Sequence, residues 1–311
     1  MTIKASQPLV SIITVNYNQA KATCEFLASL QKITYKSIEI FVVDNDSQDD
    51  NPDVIKEQFP DINFLKTEKN LGFAGGNNVA LPYCKGKYVL FINNDTEVDP
   101  NFLEPLVNTM EADSTIGMIN PRVQYYHLPG VIQFAGYTSF NMITIRNFAI
   151  GHRQQDKGQF NNVSESGSIF GAAMLVPLKV IKEVGMMADI FFLYYEEHDW
   201  AAHIRKAGYK IYYQGKSLVY HKESLSTGRD SPFKVYYLMR GRILFARRNT
   251  KGIQKLLALF YIYFFTTTRI TLGYIFKLRF DHVWAYWKAV LWNLSHRSGI
   301  IFELPVLNEA K

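Results

Sequence analysis

The chain has 311 residues, 48% of them apolar, which supports a sizeable core and excludes a disordered chain. Its net charge of +6 conceals a split: from Lys234 onward thirteen Lys or Arg face three Asp or Glu, a balance of +10 against −4 for residues 1–233. A basic end rich in aromatic residues on an acidic body points to a polyanionic partner, either nucleic acid or an anionic membrane face. Cys24 and Cys84 are too few and too scattered for a disulfide framework, so a reducing cytosol is expected, and no Cys/His spacing suggests zinc.

The first apolar run, PLVSIITVN, is short and lacks a basic leader, so it reads as a strand over 9–16 and not as a signal sequence. A helix is expected over 19–31, a strand over 38–43, a short helix near 53–58 and a strand over 62–66. Residues 70–78, NLGFAGGNN, open a helix to about Tyr83, and strand 87–92 follows. A helix is expected over 101–111, short strands and turns over 117–150, a polar loop over 151–162 and a small-residue strand over 168–176. Pro177 starts a helix, and a further helix runs from about Glu196 to Ala207 and stops at Gly208. Strands at 209–213 and 217–221 close the acidic part, and the chain beyond Pro232 reads as helical. Strands alternating with helices argue for an α/β fold with a mostly parallel sheet.

Three apolar runs end in polar clusters, where open α/β sheets bind ligands. Asn93-Asn94-Asp95 follows the run Tyr88–Ile92 and offers one carboxylate to a divalent cation; His221, ending another run, offers an imidazole. Taken alone, Asp95 reads first as a turn cap and His221 as a core histidine. Asp44-Asn45-Asp46 ends the second expected strand beside Asn16-Tyr17-Asn18; Asp44 suits a pyrimidine N3–H, although turns use the same residues. Asn70, Gly72 and Asn77 belong to a glycine-rich helix start that resembles a phosphate cradle, without the Gly-Lys-Ser/Thr of a P-loop. Glu196, Glu197 and Asp199 crowd a helix start, where the helix dipole alone favours them. The sharper reading is a general base whose pKa is raised by burial and a like charge, with Tyr194, Tyr195 and Trp200 as walls for a sugar ring.

At VSIITVNYN (10–18), VVDNDSQDD (42–50), NLGFAGGNN (70–78), FINNDTEVD (91–99), GAAMLVP (171–177), FFLYYEEHDW (191–200), GYKIYY (208–213) and VYHKESLS (219–226), the chain resembles inverting glycosyltransferases of family 2. The nearest subgroup is the rhamnosyltransferase-like enzymes of bacterial polysaccharide assembly, and the resemblance runs from about residue 9 to about 250. It implies a GT-A fold, a nucleoside-diphosphate sugar donor (dTDP- or UDP-linked) and Mg²⁺ or Mn²⁺. It assigns Asn16, Tyr17, Asn18, Asp44, Asp46, Asn70, Gly72, Asn77, Asn94 and Asp95 to the donor, and Asp95 and His221 to the metal. Glu197, with Glu196, is assigned to the proton transfer, and Tyr195, Asp199 and Trp200 to the acceptor. The chain departs from the usual pattern in having Asn-Asn-Asp for a full Asp-x-Asp, Glu196-Glu197 for Glu-Asp, and His198 for an apolar residue.

The expected domains are a glycosyltransferase unit over 1–232 and a helical membrane-interface extension over 233–311. The run 256–276 is long enough to span a bilayer, but Arg269 near its middle would cost roughly 3 kcal/mol on insertion scales. Basic flanks favour helices lying in the interface on anionic headgroups, with a buried-core or spanning location as the alternatives. The expected protein is therefore peripheral on the inner face of the cell membrane, acting on a lipid-linked glycan and not on nucleic acid. A non-catalytic relative kept as a membrane scaffold is the alternative. The polar loop 151–162 or the segment Ser224–Arg229 is a candidate lid over the donor, with an ordinary surface loop as the equal alternative.

Overall fold

The computed structural model describes residues 7–222, 230–296 and 304–308. Its elements in chain order are β1 (Val10–Asn16), α1 (Ala20–Leu30), β2 (Ile38–Asp44), α2 (Asp53–Gln58), β3 (Asn63–Lys66), α3 (Gly72–Ala80), β4 (Tyr88–Ile92), β5 (Thr96–Val98) and α4 (Leu103–Ala112). There follow β6 (Ile116–Tyr125), β7 (Ile132–Phe134), β8 (Val163–Glu165), β9 (Ala173–Pro177), α5 (Leu178–Val184), α6 (Glu196–Lys206) and β10 (Lys210–His221). The helices α7 (Pro232–Asn249), α8 (Gly252–Phe260), α9 (Thr267–Phe276) and α10 (Phe280–Ser295) complete the chain.

The sheet runs β3-β2-β1-β4-β9-β6-β10-β5, with β7 on β6 and β8 on β10. Its first half is parallel, as β-branched strands separated by helices dictate. Its second half is mixed, because β9 runs antiparallel to both β4 and β6. The mostly parallel sheet expected from element alternation therefore holds for β1–β4 and for the β6–β10 pair, and fails where β9, β5, β7 and β8 pair antiparallel. β10 is one strand with a register shift between Gln214 and Leu218, where two were expected. Pro177 ends β9 instead of starting α5, since its extended backbone is already paired with Tyr88.

Successive strand side chains point to opposite faces, and the core divides accordingly. Tyr88, Leu90 and Ile92 pack with Phe26, Leu27 and Phe102 under α1 and α4. Val89 and Phe91 pack with Trp200, Ile204 and Ile243 under α6 and α7. α7 thus shares a hydrophobic cluster with the sheet, and the expected boundary at 232/233 does not fall at a gap in the packing. Its start is fixed locally: the Ser231 hydroxyl accepts a hydrogen bond from the Lys234 amide, and Pro232 occupies the first turn. A buried ion pair locks its other end, with Arg248 Nε and Nη2 each donating to Asp199 at 2.9 Å.

From Gly252 to Phe276 the chain is one continuous helix of 25 residues, α8 and α9 joined through a π-helical turn, long and apolar enough by length and composition to cross a membrane. Only 22% of its most apolar stretch is buried. Phe260, Phe264, Phe276 and Trp284 are more than half exposed along α8–α10.

Candidate active site

The carboxyl ends of β1, β2, β4 and β10 surround a cavity of about 350 Å³. Of the residues expected at the donor, Tyr17, Asn70, Gly72, Asn77, Asn94 and Asp95 line it. Asn16, Asn18, Asp44 and Asp46 do not. Asn16 is fully buried and donates to Asp44 Oδ1 at 2.8 Å; Thr23 Oγ1 donates to Asn16 Oδ1, and Asn94 Nδ2 donates to Thr23 Oγ1. This buried relay ties the ends of three strands together. Asp44 is 3% exposed and both its oxygens accept bonds from Ser47 or Asn16, so it is turned away from the cavity. Asn18, left-handed at φ 53°, bridges to the loop after β2 by accepting from the amides of Gln48 and Asp49. Asp46 accepts a bond from Gln48 Nε2.

The start of α3 shows why glycine stands at 72. Its φ is +72°, and a Cβ there would sit 2.1 Å from the Phe192 carbonyl oxygen, which accepts a bond from the Phe73 amide at 2.6 Å. Asn45 braces this turn: its Nδ2 donates to Asn70 Oδ1 and Gly72 O, and its Oδ1 accepts from the Leu71 amide.

Asp95 and His221 converge in the cavity, with Asp95 Oδ1 3.1 Å from His221 Nε2. His221 Nδ1 is 2.8 Å from Gln133 Oε1, a contact that orients the ring so that Nε2 faces Asp95. The Lys222 amide donates to the Asp95 carbonyl at 2.8 Å, and the buried Lys222 ammonium is pinned between Glu25 and Glu97. These contacts fix the end of β10 against β5. One carboxylate and one imidazole with an oriented partner suit a cation such as Mn²⁺. Among the described residues no group of three or more His, Cys, Asp or Glu is placed to hold a metal. The pair therefore fits a cation that takes its remaining ligands from a diphosphate and water.

The acidic cluster at the start of α6 is only partly at this cavity. Tyr194 lines it; Glu196, Glu197, Tyr195, Asp199 and Trp200 do not. Glu197 lies against its wall: a Cβ on Gly171, next to the cavity-lining Phe170, would be 3.7 Å from Glu197 Oε1. Glu197 Oε2 is buried with no hydrogen-bond partner among the described residues. Burial, and then the charge of Glu197, holds the Glu196 carboxyl well above the usual range. Burial lowers the His198 pKa; this neutral ring sits 2.8 Å from Ser168 Oγ and 3.9 Å from Glu197.

The expected acceptor set is not brought together. Asp199 is fully buried and held by Arg248 and by Asn249 Nδ2 at 2.7 Å. Trp200 is fully buried, edge-on to Phe91, with Nε1 donating to Gly185 O at 2.8 Å. Tyr195 packs between His198 and Phe245. Phe192, Tyr194 and Tyr195 all have φ between 64° and 76°, strain of order 1–3 kcal/mol each that persists only where surroundings impose it. α7 imposes it here: Arg240 donates to Ile190 O, and Gly241 lets the Tyr194 carbonyl approach to 2.6 Å of where a Cβ would stand.

Asn45, Gln133, Phe170 and Phe192 line the cavity without having been assigned to it from sequence, whereas Tyr194, expected as a wall, does line it. Of the two candidate lids, Ser224–Arg229 lies outside the described residues. The loop 151–162 is tied down, Asp156 pairing with Arg122 at 3.1 Å and Phe160 O accepting from Tyr213.

Residues 11–166 match the family described as glycosyl transferase family 2. An N-acetylglucosaminyl-diphospho-decaprenol L-rhamnosyltransferase of Mycobacterium tuberculosis is 22% identical over 244 residues, covering 71% of this chain and 78% of that protein. The mannosyltransferase PcManGT from Pyrobaculum calidifontis, solved with GDP-Man and Mn²⁺, is similar with a TM-score of 0.57 at 16% identity, over 96% of this chain and 77% of that one. GalNAc-T7, solved with UDP, GalNAc and Mn²⁺, is similar with a TM-score of 0.60 at 15% identity, over 82% of this chain. The chain spans about half of that structure, 54%. The structural likenesses give a GT-A-type fold.

Proposed function

This chain belongs to glycosyl transferase family 2, and from that premise we propose that it moves a sugar, rhamnose as first choice, from a nucleoside diphosphate to a lipid-linked or polysaccharide acceptor with inversion. The observation that carries this reading is the convergence of Asp95 and His221 in one cavity with the Gly72 turn of α3. Asp95 and His221 would hold Mg²⁺ or Mn²⁺, which when bound neutralises charge on the departing diphosphate. The Asn45-braced turn presents the α3 helix start to the same phosphates. Tyr17, Phe170 and Tyr194 give the cavity its apolar walls.

Glu197 is the base in this reading. Its unpartnered Oε2 would accept the proton of the acceptor hydroxyl while that oxygen attacks the anomeric carbon from the face opposite the diphosphate. The wall position of Glu197 means that Phe170–Gly171 must admit the acceptor beside it.

The mycobacterial relative's name specifies an acceptor on a lipid diphosphate, which supports a lipid-linked acceptor here. The exposed apolar side chains of α8–α10 and their basic flanks support a protein lying on an anionic membrane at the cytoplasmic face. The test is turnover of a panel of nucleotide sugars with Mn²⁺. Glu197→Gln is expected to lower transfer by about 10²- to 10⁴-fold while donor binding stays intact. Unchanged transfer in that variant refutes the base assignment, and no turnover of any donor by the wild type favours the scaffold reading.

A further inference from the structure

A second cavity, of about 420 Å³, shares no lining residue with the first. Phe140, Met142 and Phe245 give it an aromatic and apolar lining; Arg205, Lys206, Lys251 and the Asp199-paired Arg248 supply cations; Ser168, His198 and Asn249 are among its polar groups, and no carboxylate of the described residues lines it. Arg205 donates to Ser166 O and lies 3.5 Å from Glu165, yet its Nε is buried with no hydrogen-bond partner among the described residues. Neither Lys206 nor Lys251 has an ion pair among the described residues, and both are exposed. Lys251 is also the residue before α8, so the rim of the cavity leads onto the exposed apolar face beginning at Ile253 and Leu256.

This combination selects a ligand that is anionic at one end and apolar at the other. Free phosphate makes no use of Phe140, Met142 and Phe245, whereas a carrier diphosphate uses these and the cations together. We propose that this cavity seats the diphosphate of a lipid carrier, its phosphates on Arg205, Lys206 and Lys251 and its first isoprenoid carbons on the aromatic lining. The tail continues along α8. The assignment rests on the glycosyltransfer reading and deepens it by naming the residues that hold the acceptor's anchor. His198 lines this cavity and follows Glu197 directly, so a carrier held here brings its sugar alongside the proposed base.

The test is calorimetric titration of the intact protein, in EDTA, with farnesyl diphosphate, inorganic diphosphate, farnesol and phosphatidylglycerol vesicles. Farnesyl diphosphate is expected to bind more tightly than either half of the molecule. Lys206→Glu/Lys251→Glu, which alters two exposed side chains, is expected to weaken it by at least about 10-fold. Asp95→Asn is expected to leave that binding unchanged, because the first cavity is not involved. Binding that survives the lysine reversal, or that Asp95→Asn abolishes, overturns the assignment. So does equal binding of farnesol or of inorganic diphosphate, and so does lysine-dependent binding of phosphatidylglycerol of equal strength. Nucleotide-sugar turnover, assayed separately, distinguishes the two failures: without it the glycosyltransfer reading falls while the binding result stands.

Discussion

Replacing Arg248 by methionine isolates what holds α7 onto α6. The Arg248–Asp199 pair is fully buried, bidentate at 2.9 Å, and reinforced by Asn249. Arg248→Met leaves Asp199 with one amide donor and a buried charge, which costs about 3–5 kcal/mol. Removing both charges, in Asp199→Leu/Arg248→Met, removes the unpaired group as well and is expected to come within about 1 kcal/mol of the wild type or to exceed it. The assay is reversible urea unfolding followed by tryptophan fluorescence, which reports directly on buried Trp200, next to Asp199. A loss below 1 kcal/mol in the single variant, or a double variant as unstable as the single one, refutes the claim that this pair is a structural lock.

Glu196 gives a pH-dependent expectation. Its folded pKa lies well above the ordinary 4.5, so its ionisation costs stability: the contribution is full below that ordinary value and is lost as pH rises toward the folded pKa. Glu196→Gln is therefore expected to match the wild type near pH 4 and to be more stable at pH 8, read from melting temperatures at both; equal stability at pH 8 contradicts the assignment. Gln133→Leu removes the acceptor that orients His221 and is expected to weaken Mn²⁺ binding by about 10- to 100-fold with the fold retained. Direct Mn²⁺ titration by electron paramagnetic resonance measures it, and unchanged affinity would show that the Gln133 contact is incidental.

The half of the fold around β1–β4 was legible because its strands are short, β-branched apolar runs that end in polar clusters, with segments of helical spacing between them. The mixed half was not: whether β9 runs parallel or antiparallel is decided by long-range pairing, and Ala173–Pro177 carries no local mark of direction. Asp95 and His221 were found because each ends an apolar run with a ligand-bearing side chain. Gln133 was missed because a lone amide on a three-residue strand looks like surface. Trp200 was misplaced, although helical spacing offered a signal: Glu196, Trp200 and Ile204 lie four apart on one face, and an Ile on that face marks it as core. Asp199 could not be assigned without knowing that Arg248, 49 residues later, returns to it.

The account stands on Asp95 and His221 sharing one cation with a diphosphate. Mn²⁺ binding measured with and without UDP, in the wild type, Asp95→Asn and His221→Ala, tests this most directly. The expected result is Mn²⁺ affinity that rises when UDP is added to the wild type and fails to rise in either variant. UDP-enhanced Mn²⁺ binding of equal strength in all three proteins would contradict it.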